Sequence, residues 1–132
     1  MKKRKILLIL ILITGCCFSA YCQDAPKIKS ITVLEERGDV LIKKQVKESE
    51  TLFDEKGNIL ESIEYKQGKV DKHFKYRYDK VGNKIREEDY DPSGKLKEYS
   101  EYRFESGLRV EKIVYDPDGK VILRKIYQYT TF

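Results

Sequence analysis

Histidine occurs once in the 132 residues, tryptophan not at all, and proline only three times. A single histidine is too few for a His-built metal centre and leaves a histidine-based triad resting on His73 alone. The three cysteines, Cys16, Cys17 and Cys22, all fall within the first 22 residues. Residues 23–132 therefore offer no thiol nucleophile, no thiolate ligand and no disulfide. The longest unbroken apolar run, Ile6 to Ile13, is eight residues, far short of the ~20 a membrane-spanning helix needs. No window repeats apolar residues at helical spacing. Positive charge is scarce where it would matter for nucleic acid. The formal net charge is +5, but the first 22 residues hold four of the 27 basic residues and none of the 22 acidic ones. The remainder is within one charge of balance, which excludes a nucleic-acid footprint.

What stands at the front is an address. Lys2, Lys3, Arg4 and Lys5 precede the apolar run, and Ala20-Tyr21-Cys22 places small residues before Gln23. This pattern predicts a secretory signal over residues 1–22 and a single domain over 23–132. Ile13-Thr14-Gly15-Cys16 also fits a lipobox; on that reading the signal is residues 1–15 and Cys16 carries the lipid. Either way the chain is expected outside the cytoplasm, in the periplasm, at the cell surface or secreted. A membrane would hold it only through the lipid.

The rest is a repeat. Gly57, Gly68, Gly82, Gly94, Gly107 and Gly119 recur at nearly even intervals. Around them stands an aromatic residue, an acid, two variable residues, Gly, a polar residue and an aliphatic one. The unit is written Phe53-Asp54-Glu55-Lys56-Gly57-Asn58-Ile59, again Tyr90-Asp91-Pro92-Ser93-Gly94-Lys95-Leu96, and again Tyr115-Asp116-Pro117-Asp118-Gly119-Lys120-Val121. Asp opens a turn by accepting backbone hydrogen bonds, Pro presets its second position, and Gly supplies the positive φ that closes it. The six glycines are therefore read as turn residues. The runs between them alternate and are rich in Tyr and β-branched residues, the marks of strands. Val70, Phe74, Tyr76 and Tyr78 are expected on one face; so are Leu96, Tyr102 and Phe104, and Val121, Leu123, Tyr127 and Tyr129. The expected fold is all-β: an antiparallel meander of seven or eight strands, a curled single sheet or half-open barrel, with one aromatic face and one charged face.

Tyr76-Arg77-Tyr78-Asp79-Lys80-Val81-Gly82-Asn83 resembles the core of the YD repeat of Rhs-type proteins, and the likeness runs from about Phe53 to Tyr129. It implies β-hairpin repeats; large members of that family build a β-rich shell around a toxic cargo. A looser similarity is to MORN-like repeat proteins that serve as antitoxins. Neither implies catalytic residues for this chain.

Candidate chemistry is thin. His73 is expected as a solvated strand residue. Asp116 and Asp118 lack the further oxygen ligands of a calcium loop, since Tyr127 stands where a Glu is required. Glu61 and Glu64, and Glu87 and Asp89, are charged-face residues. The informative excess is tyrosine, nine of ten beyond residue 22. Tyr76, Tyr78, Tyr102, Tyr127 and Tyr129 are the candidate binding residues. No catalytic residue, metal or cofactor is expected. The chain reads as a non-catalytic, exported β-repeat protein that binds a macromolecule, by expectation a protein, or contributes to the envelope. An immunity or antitoxin-like protein that blocks a partner is the alternative; an enzyme of unrecognised type is the third reading.

Overall fold

The computed structural model describes residues 26–38 and 43–132. The signal segment and Cys16 lie outside the described residues. Eight strands follow one another in chain order: β1 (Ser30–Arg37), β2 (Lys44–Phe53), β3 (Ile59–Lys66), β4 (Lys69–Tyr78), β5 (Lys84–Tyr90), β6 (Leu96–Glu105), β7 (Leu108–Tyr115) and β8 (Val121–Ile126). They form one antiparallel sheet in that same order, as tight hairpins require. The described residues contain no helix. Each strand touches only its neighbours in sequence, so the sheet stays open and unlayered.

The turns are of two kinds. In the long ones Asp opens and Gly closes: the Asp116 N–H donates to the Lys120 carbonyl at 2.9 Å, and the Gly119 N–H to the Asp116 carbonyl at 3.1 Å. Asp116 Oδ1 also accepts from the N–H groups of Asp118 and Lys120, at 3.1 and 2.8 Å. Gly119 sits at φ +85°. This is a type I turn closed by a glycine bulge, and Asp54, Asp79 and Asp91 repeat it. The short turns at Gln67-Gly68 and Ser106-Gly107 are different. Both central residues have positive φ there, Ser106 at 50° and Gly107 at 78°, the signature of a two-residue type I′ hairpin.

Every hairpin also carries a bulge on its outgoing strand. Glu48, Leu60, Asp71, Ile85, Lys97, Val110 and Ile122 are each skipped by the pairing register. An extra residue resets the side-chain alternation. Val70 pairs with Tyr65 and Lys72 with Glu64, so Val70 falls on the opposite face from Phe74, Tyr76 and Tyr78. Leu96 is likewise parted from Tyr102, and Val121 from Leu123.

Turn handedness then scrambles the expected faces further. Call the face that carries Tyr102 the front. The turns at Gly57, Gly82 and Gly107 lie at the lower end of the sheet; those at Gly68, Gly94 and Gly119 lie at the upper end. A turn of fixed hand moves from one end to the other only by a half-rotation about the axis across the strands. That rotation exchanges the faces. Accordingly the aromatic residue before each lower turn, Phe53, Tyr78 or Phe104, is on the front. The one before each upper turn, Tyr65, Tyr90 or Tyr115, is on the back. The expectation of one aromatic face and one charged face is corrected: both are mixed.

Packing is correspondingly thin. Only Ser100, Tyr102 and Val114 are buried among the described residues. They sit on the front at the centre of β6 and β7, where neighbours flank them on both sides. Elsewhere cross-strand pairs and the stems of long charged side chains cover the aromatics.

Candidate functional site

The charges of the back face pair off. Glu88 receives Arg86 at 2.7 Å and Arg77 at 3.3 Å, and Arg86 also reaches Glu101 at 2.9 Å. Glu111 takes Arg103 and Arg124, both at 3.3 Å. Burial pushes the Glu88 carboxyl up, but the Tyr90 hydroxyl, Arg86 and Arg77 outweigh it and hold the group below the ordinary glutamate value. Aromatic rings fill between: Tyr99 stacks on Tyr115 at 4.8 Å, and Arg86 lies 3.9 Å over Tyr99. His73 belongs here. It is half-buried, 2.6 Å from Glu61 and stacked on Tyr90 at 4.9 Å, so the solvated reading is replaced by a packed, hydrogen-bonded one. Nothing nucleophilic adjoins it among these contacts.

The front face is arranged otherwise. Three cations surround the Tyr102 ring: Arg109 at 4.6 Å, Lys84 at 5.3 Å and Lys112 at 5.4 Å. Lys84 pairs with Glu87. Arg109 and Lys112 have no carboxylate within ion-pair distance among the described residues. Lys112 stands directly opposite Lys125 across β7 and β8, an arrangement of like charges that costs stability unless something offsets it. Arg109 Nε is buried without a hydrogen-bond partner in the protein. Its guanidinium is packed over Tyr102, Phe104 at 5.7 Å and Tyr127 at 6.0 Å. Burial raises the Tyr102 hydroxyl above its ordinary value, against the opposing pull of Lys84 and Arg109.

The candidate tyrosines fall around this patch in part. Tyr102 is its centre, Tyr76 lies 5.0 Å from Lys84, and Tyr127 borders Arg109. The Tyr129 hydroxyl donates to the Arg109 backbone carbonyl at 2.7 Å. Tyr78 stands directly opposite Lys84 in the register, and with Tyr76 it lines an open groove at the lower end beside Leu60 and Ile85. Sequence reasoning missed Lys84, Arg109 and Lys112, because alternation alone put them among solvated charges. Their signal is visible in retrospect: Arg109-Val110 and Lys84-Ile85 each follow a turn with a bulge residue second. Glu61 and Glu64 lie on opposite faces, while Glu87 and Asp89 share the front. No group of three His, Cys, Asp or Glu residues converges on a point among the described residues.

In chemical terms the patch can hold an anion against aromatic rings: three cations are in place, and the carboxylate that pairs with one of them, Glu87, is held by Lys84. No model of a known protein family matches the chain, and no curated protein matches it in sequence.

Proposed function

We propose that this chain is a non-catalytic, exported β-repeat protein that binds a partner protein through an acidic segment laid on the front-face patch. The observation that carries this is the trio around Tyr102: Lys84, Arg109 and Lys112 close on one ring, and among the described residues Arg109 and Lys112 have no carboxylate within ion-pair distance. Cations already stacked on an aromatic face gain little more from the ring, about 0.5–1 kcal/mol each at exposed sites. A carboxylate arriving from a partner would add charge-assisted hydrogen bonds that the protein itself leaves unmade. The half-buried Tyr76 and Tyr127 rings offer apolar area beside them, as binding surfaces do. The likeness of Tyr76 to Asn83 to the YD repeat supports a repeat scaffold rather than a catalyst. The signal pattern over residues 1–22 supports export, with the lipid on Cys16 as the variant that would tether the protein to a membrane.

A labelled oligoglutamate peptide, titrated by fluorescence anisotropy, tests the reading. Binding that weakens with salt and is lost in Arg109→Gln/Lys112→Gln, yet survives Arg103→Gln on the back face, supports it. No binding, or binding indifferent to the front-face pair, refutes it. Cell fractionation and the mass of the processed chain test export and the lipid.

A further inference from the structure

We infer that the two outer strands, β1 and β8, are complementary edges through which copies of this chain join head to tail into a continuous sheet. The occupant of each edge is a second copy. Eight is an even number, so pure translation by one molecule places β8 of one copy antiparallel to β1 of the next. The meander then continues without a break in alternation. Neither edge is covered among the described residues: every residue of β1 and of β8 is exposed. Apolar side chains stand on both, Leu34 51% exposed and Ile126 71% exposed. Stacked repeat arrays of this kind ordinarily end in polar caps, and uncovered edges pair with other chains.

Charge selects the partner and the register. The upper half of β1 carries Glu35 and Glu36, and β8 carries Arg124 and Lys125. The Lys29 carbonyl accepts from the Phe53 N–H, and the Tyr127 N–H donates to the Val110 carbonyl. Counting alternately from these, Leu34 and Glu36 turn their backbone groups outward on β1, as Arg124 and Ile126 do on β8. Pairing Arg124 with Glu36 therefore joins two outward-facing residues. It also sets Lys125 against Glu35 on the front face and Ile126 against Leu34 on the back. Sliding by two residues in one direction puts Arg124 on Leu34 and Lys125 on Val33; in the other it brings Lys125 onto Arg37. Only the first register matches charge on both faces. A β8-on-β8 contact sets Arg124 and Lys125 against like charge, and a β1-on-β1 contact centred on Glu36 sets that carboxylate against its own copy. The present partners of Glu35 and Glu36 are exposed, Arg37 and, at 3.5 Å, Lys43; Arg124, itself exposed, shares the half-buried Glu111 with Arg103, both at 3.3 Å, so Glu111 keeps a partner when Arg124 leaves. Exchange for an intermolecular partner costs little.

The processed protein, purified from cells, is examined by light scattering over a range of concentrations. The expected result is a ladder of growing species, because head-to-tail contacts do not close. Glu35→Lys/Glu36→Lys makes both edges positive, and Arg124→Glu/Lys125→Glu makes both negative. Each alone raises the concentration needed for assembly more than about tenfold. Mixed in equal amounts, the two reconstitute assembly, since each presents the complement of the other. A Leu34→Cys/Ile126→Cys variant, oxidised, forms covalent multimers. A protein that is monomeric throughout, assembly that survives either reversal, or a mixture that stays monomeric overturns the inference. None of these readouts involves Arg109 or Lys112, so this proposal and the front-face reading stand or fall separately.

Discussion

The two faces of this sheet are made from the same residue types and differ in how charge is settled. On the back, Glu88 and Glu111 each gather two arginines, and rings stack between the pairs. On the front, Arg109 and Lys112 rest on Tyr102 with no carboxylate within ion-pair distance among the described residues. Composition could not distinguish them, since tyrosines, lysines and arginines stand on both. What separates them is the cross-strand pairing around each centre. On the back Arg86 stands opposite Glu101 and Arg103 opposite Glu111, with Arg77 facing Arg86. Beside Tyr102 on the front Lys112 stands opposite Lys125, the acid–base pair Glu64 and Lys72 lying strands away. A face that completes its own pairs has its interactions within the molecule. A face that leaves cations over rings keeps donors for something else.

Five predictions, two of them paired comparisons, break or sharpen that contrast. Tyr102→Ala, at the one aromatic residue buried among the described residues, is expected to cost about 3 kcal/mol in urea unfolding. Tyr65→Ala on the back, near the thin edge, should cost clearly less, and equal losses would mean the front holds no packing centre. Gly119→Val forces a β-branched residue to φ +85° and is expected to cost ~1–2 kcal/mol by the same measurement. Tyr99 Oη is 3.6 Å from the added Cβ, an ordinary contact, so the loss comes from the backbone. Glu88→Gln on the back takes the carboxylate from Arg77 and leaves Arg86 only Glu101, and should cost about 1 kcal/mol, less in high salt. Arg109→Gln on the front should cost less than that, and a larger loss would show that the front cations are structural. Ser106→Asn gives the type I′ turn a residue at ease with positive φ and should raise stability by about 0.5 kcal/mol.

The last is a pH dependence. The Asn58 and Asn83 side-chain amides hold the Asp54 and Asp79 carboxyls below the ordinary aspartate value, and the Ser93 hydroxyl does so for Asp91. Their folded values lie below the unfolded ones. The stability they add is therefore complete above the ordinary aspartate range and is lost as pH falls through the lowered values. Thermal melts between neutral and strongly acid pH should show that decline. Asp91→Asn should flatten it, and it belongs to the turns, so salt that screens the back face should leave it in place.

Strand number and turn placement were legible because their causes are local. Asp91-Pro92-Ser93-Gly94 fixes a turn within four residues, whatever surrounds it. The short turns were less so: Gln67 and Ser106 look like ordinary polar residues, and only their backbone φ in the folded chain reveals the type I′ geometry. The candidate site was half legible. Tyr102 and Tyr76 stood out by their place in the repeat, but Arg109 and Lys112 acquire meaning only from what the register puts beside them.

The amino-acid order by itself determined where the chain reverses and that the pieces between are strands, since turn chemistry and alternation act over a few residues. Which face each side chain reaches was decided only by the assembled sheet. A bulge in every hairpin resets the alternation, and a turn of fixed hand exchanges the faces each time it moves to the opposite end. Both effects are invisible until the strands are paired.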